Sequence, residues 1–110
     1  MESYKSEVYS ILNSIEELKQ VSADYPKDFK HLPAVAYYES SNTPLSMADD
    51  EEYETDASYQ IDLYCKGSTT NLAKIIDNKM TENGFFRELG INAPEPSDIK
   101  HYTARYSKII

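Results

Sequence analysis

The chain of 110 residues holds one cysteine, Cys65, and two histidines, His31 and His101. A lone thiol cannot close an internal disulfide, and no C-x-x-C pair exists to begin a metal knuckle. Cys65 alternates with Ile61 and Leu63, which marks it as a small buried hydrophobe rather than a reactive thiol. The two histidines are far apart, with no acid at a motif spacing, and are expected to be ordinary surface or sheet residues. No G-x-S-x-G, H-E-x-x-H or Gly-rich phosphate loop is present, and the three glycines are scattered. The expectation is no enzyme activity, no catalytic residue, no cofactor and no dedicated metal site.

Two charged constellations remain. Asp49, Asp50, Glu51, Glu52, Glu54 and Asp56 form an acidic run with no base among them. A Ca²⁺ loop needs D-x-D-x-D-G spacing with a distant Glu, and this run lacks both the glycine and the rhythm. It suits a solvated loop, or an electrostatic contact with a partner. Near the C-terminus, Lys100, His101, Arg105 and Lys108 stand without an acid. On a strand, Lys100 and Lys108 share a face with Tyr102 and Tyr106, and His101 and Arg105 share the other. Bases on a strand commonly keep an edge from pairing. The alternative is a complementary surface for the acidic run on another copy. The candidate subunit-interface residues are therefore Asp49, Asp50, Glu51, Glu52, Glu54, Lys100, Arg105 and Lys108.

Composition bounds the partners. Acids outnumber bases 19 to 11, for a net charge of −8. Such a chain is a poor general binder of nucleic acid, whose phosphates need Lys and Arg. Ten Tyr stand against three Phe and no Trp, a bias that suits half-buried sheets and wet interfaces. The start, Met1-Glu2-Ser3-Tyr4-Lys5, has no basic segment followed by an apolar one, so no signal peptide is expected. No apolar run approaches the ~20 residues that span a bilayer. The cysteine usage fits a reducing compartment or a particle assembled in one.

The elements that must position these residues follow from periodicity. Tyr4, Val8, Ile11, Ile15 and Leu18 give a helical stripe over Ser3 to Val21, with Ser3 as N-cap. Asp24-Tyr25-Pro26 signals a turn. Leu32 to Glu39 reads as a strand with Val35 and Tyr37 on one face. Ser40 to Asp56 reads as a long polar loop, about 40–56, with residues 42–56 expected to be mobile. Ala57 to Lys66 alternates cleanly, with Tyr59, Ile61, Leu63 and Cys65 facing the core and Ser58, Gln60, Asp62 and Tyr64 facing out. Ser68 can cap a second helix carrying Leu72, Ile75, Ile76 and Met80, which ends at Asn83-Gly84. Phe85 to Leu89 is a short strand, Gly90 to Ser97 a turn-rich connection, and Asp98 to Ser107 a last strand. The expected fold is one α+β domain, 1–110, in the order α-β-β-α-β-β. A four-stranded, mainly antiparallel sheet would carry both helices on one face.

These strings resemble one known family, the tail terminator or tail completion (head–tail joining) proteins of long-tailed bacteriophages and prophages. Leu32-Pro33-Ala34-Val35-Ala36-Tyr37 resembles the family's first strand. Tyr59-Gln60-Ile61-Asp62-Leu63-Tyr64-Cys65-Lys66 resembles its second, Asn71 to Gly84 with Phe85-Phe86-Arg87 its second helix and exit, and Tyr102-Thr103-Ala104-Arg105-Tyr106 its closing strand. The likeness covers nearly the whole chain, and its motifs are structural. It implies a virion structural protein, assembled in the bacterial host cytoplasm, that closes into a ring, commonly a hexamer, at the head-proximal end of the tail. That ring would end tube polymerisation and meet the head connector. Its partners would be itself, the tail-tube protein and a connector or stopper protein, with no membrane contact and nucleic acid only in passage through the lumen. The alternatives are another neck or head–tail connector protein, or an acidic cytosolic binding module such as an antitoxin or inhibitor.

Overall fold

The computed structural model describes residues 4–48, 51–93 and 98–109, with backbone alone for 42–48 and 51–55. The order is α1 (Lys5–Asn13), β1 (Gln20–Ala23), β2 (Ala34–Ala48), β3 (Glu51–Lys66), α2 (Thr70–Glu82), β4 (Phe86–Ala93) and β5 (Ile99–Ile109). The fold is α+β, as the periodicities required. The sheet, however, has five strands rather than four, in the order β1-β2-β3-β5-β4. It is mixed: β1 runs parallel to β2, and the other neighbours are antiparallel.

The extra strand comes from the end of the stretch expected to be helical. α1 stops at Asn13, and Ser14 at its C-cap turns its hydroxyl onto the Ile11 carbonyl at 2.6 Å. Short turns follow, with Ile15 N–H donating to Leu12 O and Leu18 N–H to Ile15 O. These turns keep Ile15 buried and Leu18 packed on the core, so the apolar period outlives the helix that it suggested. Val21 and Ser22 then pair with Val35 and Ala36, and Lys19 N–H donates to Pro33 O at 2.8 Å. The N-cap position falls on Tyr4; Ser3 lies outside the described residues.

The second departure is the acidic segment. Instead of a loop over 40–56, β2 and β3 form a long antiparallel hairpin paired out to Ala48↔Glu51. The register explains why like charge does not prevent it. Glu51, Glu52 and Glu54 lie opposite Ala48, Met47 and Ser46, and Asp56 lies opposite Thr43. Among the described pairs no acid faces an acid across the ladder, so directly opposed like charges do not oppose the pairing there, while the pairing satisfies both backbones. Register shifts between Pro44 and Met47 accommodate the proline, and a further shift lies beside Ser41. Asp49 and Asp50 lie outside the described residues.

The core occupies one face of the sheet. Val35, Tyr37, Tyr59, Ile61, Leu63, Ala104 and Tyr106 are buried there together with Val8, Ile11 and Leu12 of α1, Ile76 and Met80 of α2, and Phe85. The buried Tyr59 hydroxyl is fully used: it accepts Tyr4 N–H at 2.6 Å and donates to Glu39 Oε1 at 2.9 Å. α2 begins after Ser68, whose hydroxyl accepts Thr70 N–H at 3.2 Å from one residue outside the N-cap, Thr69. Gly84, at φ +88°, takes the left-handed position that ends the helix.

β4 runs through Gly90 to Ala93, beyond the Leu89 expected as its end. Gly90 allows this: a Cβ there would lie 2.1 Å from the Tyr102 hydroxyl of β5. β5 likewise runs on to Ile109.

Candidate assembly surfaces

The basic strand is the natural place to begin. β5 alternates as expected: Tyr102, Ala104 and Tyr106 join the core, and His101, Thr103 and Arg105 face the side away from the helices. Two of its bases already have partners. Arg105 Nε lies 2.8 Å from Glu88 Oε2 of β4. Glu88 also accepts the hydroxyl of Ser107, which is itself hydrogen-bonded to Ser58 at 2.6 Å. Lys108 Nζ donates to Glu7 Oε1 at 3.2 Å and to the Asn83 carbonyl at 3.0 Å. It lies 4.7 Å from the Tyr4 ring centroid and 5.0 Å from that of Phe85, a cation–π geometry. Lys108 thus ties β5 to the first turn of α1 and the end of α2. The acids absent from the C-terminal segment are supplied by other elements, as only the tertiary fold allows. Of the three interface bases, Lys100 alone is exposed with no ion pair among the described residues.

The face without helices carries a second cluster. Asp62 of β3 and Thr103 of β5 are register partners. Asp62 Oδ1 accepts from the Thr103 hydroxyl at 2.6 Å and meets His101 Nε2 at 3.0 Å. The His101 ring stacks on Tyr64, with centroids 4.3 Å apart and planes 13° apart. Tyr64 in turn meets Phe29 at 5.2 Å and Tyr25 at 6.3 Å, both edge-on. Sequence placed Asp62 and His101 on the polar faces of their strands and missed their partnership, because the β3–β5 register is long-range information. It also missed the aromatic surface; its one signal was a pair of aromatics in the turn segment around Pro26. Tyr64, expected to face solvent, is buried because this loop folds over it.

His31, exposed, pairs with Asp28 at 3.0 Å on that same loop, and this hydrogen bond holds the Asp28 carboxyl below its ordinary range. Cys65 is buried, and burial pushes its thiol up, away from reactivity. A cavity of about 250 Å³ lies between α2, β4 and β5, lined by Thr69, Lys74, Asp77, Arg87, Asn92 and Tyr102. Its walls bond one another: Thr69 donates to Asn92 at 2.8 Å, and Asp77 accepts the Tyr106 hydroxyl at 2.9 Å and meets Arg87 at 3.8 Å. Among the described residues, no three of His, Cys, Asp and Glu group to hold a metal ion, and no helix is long and apolar enough to cross a membrane.

The acids Glu51, Glu52 and Glu54 stand at the far end of the β2–β3 hairpin. β5 stops at Ile109, opposite Asp56, and β1 covers β2 only from Ala34 to Tyr37. Beyond those points the hairpin continues as a two-stranded arm whose outer edges have no strand partner among the described residues. The outer edge of β4 is open in the same sense, with Phe86 and Ile91 exposed along it. No family model matches the chain, and no curated protein matches it.

Proposed function

We propose that this chain is a structural subunit that assembles through its strands, forming a ring, of hexamer type, that caps a phage tail tube and offers the joining surface to the head. The observation that carries the reading is the two-stranded arm. A hairpin that leaves its sheet presents rows of backbone donors and acceptors, and such edges are completed by other chains or must be blocked. The strings that resemble tail terminators fall on the frame of the fold: the start of β2, the C-terminal, sheet-embedded half of β3, α2 with the start of β4, and the middle of β5. On this reading the protein has no catalytic role, works in the virion at the head-proximal end of the tail, and is assembled in the host cytoplasm. Its partners are further copies of itself, the tail-tube protein and a connector protein.

The experiment is to add the purified chain to polymerising tail-tube protein and image the products by electron microscopy. Tubes capped at one end, with lengths that shorten as the chain is raised, are expected. Unchanged tube lengths with no density at either end would refute the role.

A further inference from the structure

Arg105 and Lys108 of the basic strand expected to receive the acidic segment are already held by Glu88 and Glu7 of their own chain. Another surface has the complementary chemistry. The loop between β1 and β2 carries Lys27 and Lys30, and Lys66 ends β3 two residues past Tyr64, the register partner of Ala34 where that loop ends. All three are exposed and make no ion pair among the described residues. The same loop carries Tyr25, 61% exposed, and Phe29, 36% exposed, both edge-on to Tyr64. Asp28 is engaged by His31, and Asp24 is the other acid of that loop. In a chain of net charge −8, a basic and aromatic surface is set apart from the rest.

It is also set apart in space. Glu51 begins β3 and Lys66 ends it. At about 3.3 Å per residue the two are roughly 50 Å apart along the strand, most of the 53 Å long dimension of the fold. No arm can reach the patch of its own chain, so the two can meet only between copies.

We propose that the acidic end of the arm of one copy docks on the Lys27, Lys30 and Lys66 patch of the next, with Tyr25, Phe29 and Tyr64 as its apolar floor. The inference rests on the self-assembly reading, since it needs two copies, and it names the seam. The end of the arm fits by charge: Glu51, Glu52 and Glu54, opposite in sign to the three lysines, fall within the first residues of β3. The contact is heterologous, because two different surfaces meet, so repetition gives a closed ring or an open filament according to the rotation. Charge would steer the encounter and set register, and the rings would supply most of the contact area.

The test uses the full chain. A synthetic peptide of residues 47–56 is titrated into the isotope-labelled protein at low salt, and self-association is followed in parallel by native mass spectrometry, alone and on tube ends. The inference expects resonance shifts at Tyr25, Phe29, Tyr64 and Lys66. It expects the triple variant Lys27→Glu, Lys30→Glu, Lys66→Glu to weaken peptide binding and self-association about tenfold, the combined scale of three exposed ion pairs. A peptide with Glu51→Lys, Glu52→Lys and Glu54→Lys should recover binding to that variant. Because these lysines are exposed, an unchanged circular dichroism spectrum separates lost docking from lost folding. If self-association survives unchanged in the triple variant, the seam is wrong while assembly stands. If the chain associates neither alone nor on tubes, the inference and the assembly reading fall together. Stronger shifts at the same residues from a short single-stranded oligonucleotide than from the peptide would also overturn it.

Discussion

Two isoleucines on neighbouring parts of one sheet offer a direct test of the packing. Ile61 lies at the centre of β3, between Tyr37 and Ala104 in register, and is 1% exposed. Ile91 lies on the outer strand β4 and is 56% exposed. Replacing either by Ala removes three carbons, and any loss of strand propensity is common to both. At Ile61 the transfer loss is roughly 2.4 kcal/mol at about 0.8 kcal/mol per methylene. The hole would lie under two helices and cannot fill with water, which brings the total to about 3–4 kcal/mol. At Ile91 less than half of the side chain leaves water on folding and no enclosed hole forms, so about 1 kcal/mol is expected. Urea unfolding of both variants at one protein concentration should therefore differ by about 2 kcal/mol or more, with unchanged m-values. In thermal melts that is a separation of about 8 °C or more for a domain of this size. If the two variants lie within about 1 kcal/mol of each other, Ile61 is not at the centre of the core and the register of β3 is wrong.

Other outcomes follow from particular contacts. Burial, and then the hydrogen bond to Asp77, push the Tyr106 hydroxyl well above its ordinary range. The folded state therefore keeps a proton that the unfolded state releases above about pH 10, so stability is lost as pH rises, by up to ~1.4 kcal/mol per unit. A Tyr106→Phe variant should show a shallower alkaline slope in urea titrations; an unchanged slope would contradict the assignment. Gly90→Ala should cost about 1–3 kcal/mol by displacing the Tyr102 ring, read as a lower melting temperature, and a neutral result would mean that the ring moves freely. The β2–β3 pairing predicts slowed amide exchange at about half of the positions across 41–56, and uniformly fast exchange would restore the loop expectation. Reversing Glu51, Glu52 and Glu54 to Lys should impair assembly and reduce its salt dependence, and adding Arg105→Glu with Lys108→Glu should not restore it, since those bases serve Glu88 and Glu7. Restoration by that pair would return the seam to β5.

Much of the frame was readable from side-chain period, because period and capping are local. Val8, Ile11 and Ile15 mark one buried stripe, and Tyr59, Ile61, Leu63 and Cys65 mark another; neither needs knowledge of a partner strand. Asn83-Gly84 stops α2 for a reason within two residues, the freedom of glycine at positive φ. The identity of the charged and aromatic residues, the single buried thiol and the clean alternation of β5 were likewise legible. Tertiary structure decided the rest. Whether the residues after Asn13 continued a helix or turned into β1 depended on an open edge of β2 with which Val21 could pair. Whether 40–56 was loop or strand depended on which residues stood opposite the acids, and the register set Ala48, Met47 and Ser46 there. Whether Arg105 and Lys108 were free depended on Glu88 and Glu7, brought in from β4 and α1. A sequence shows which groups carry charge and which face they share, but the distance between two faces is created only when backbone pairing across tens of residues selects one register. That is why the lysines beside Tyr25 and Phe29, unremarkable along the chain, become a surface only in the fold.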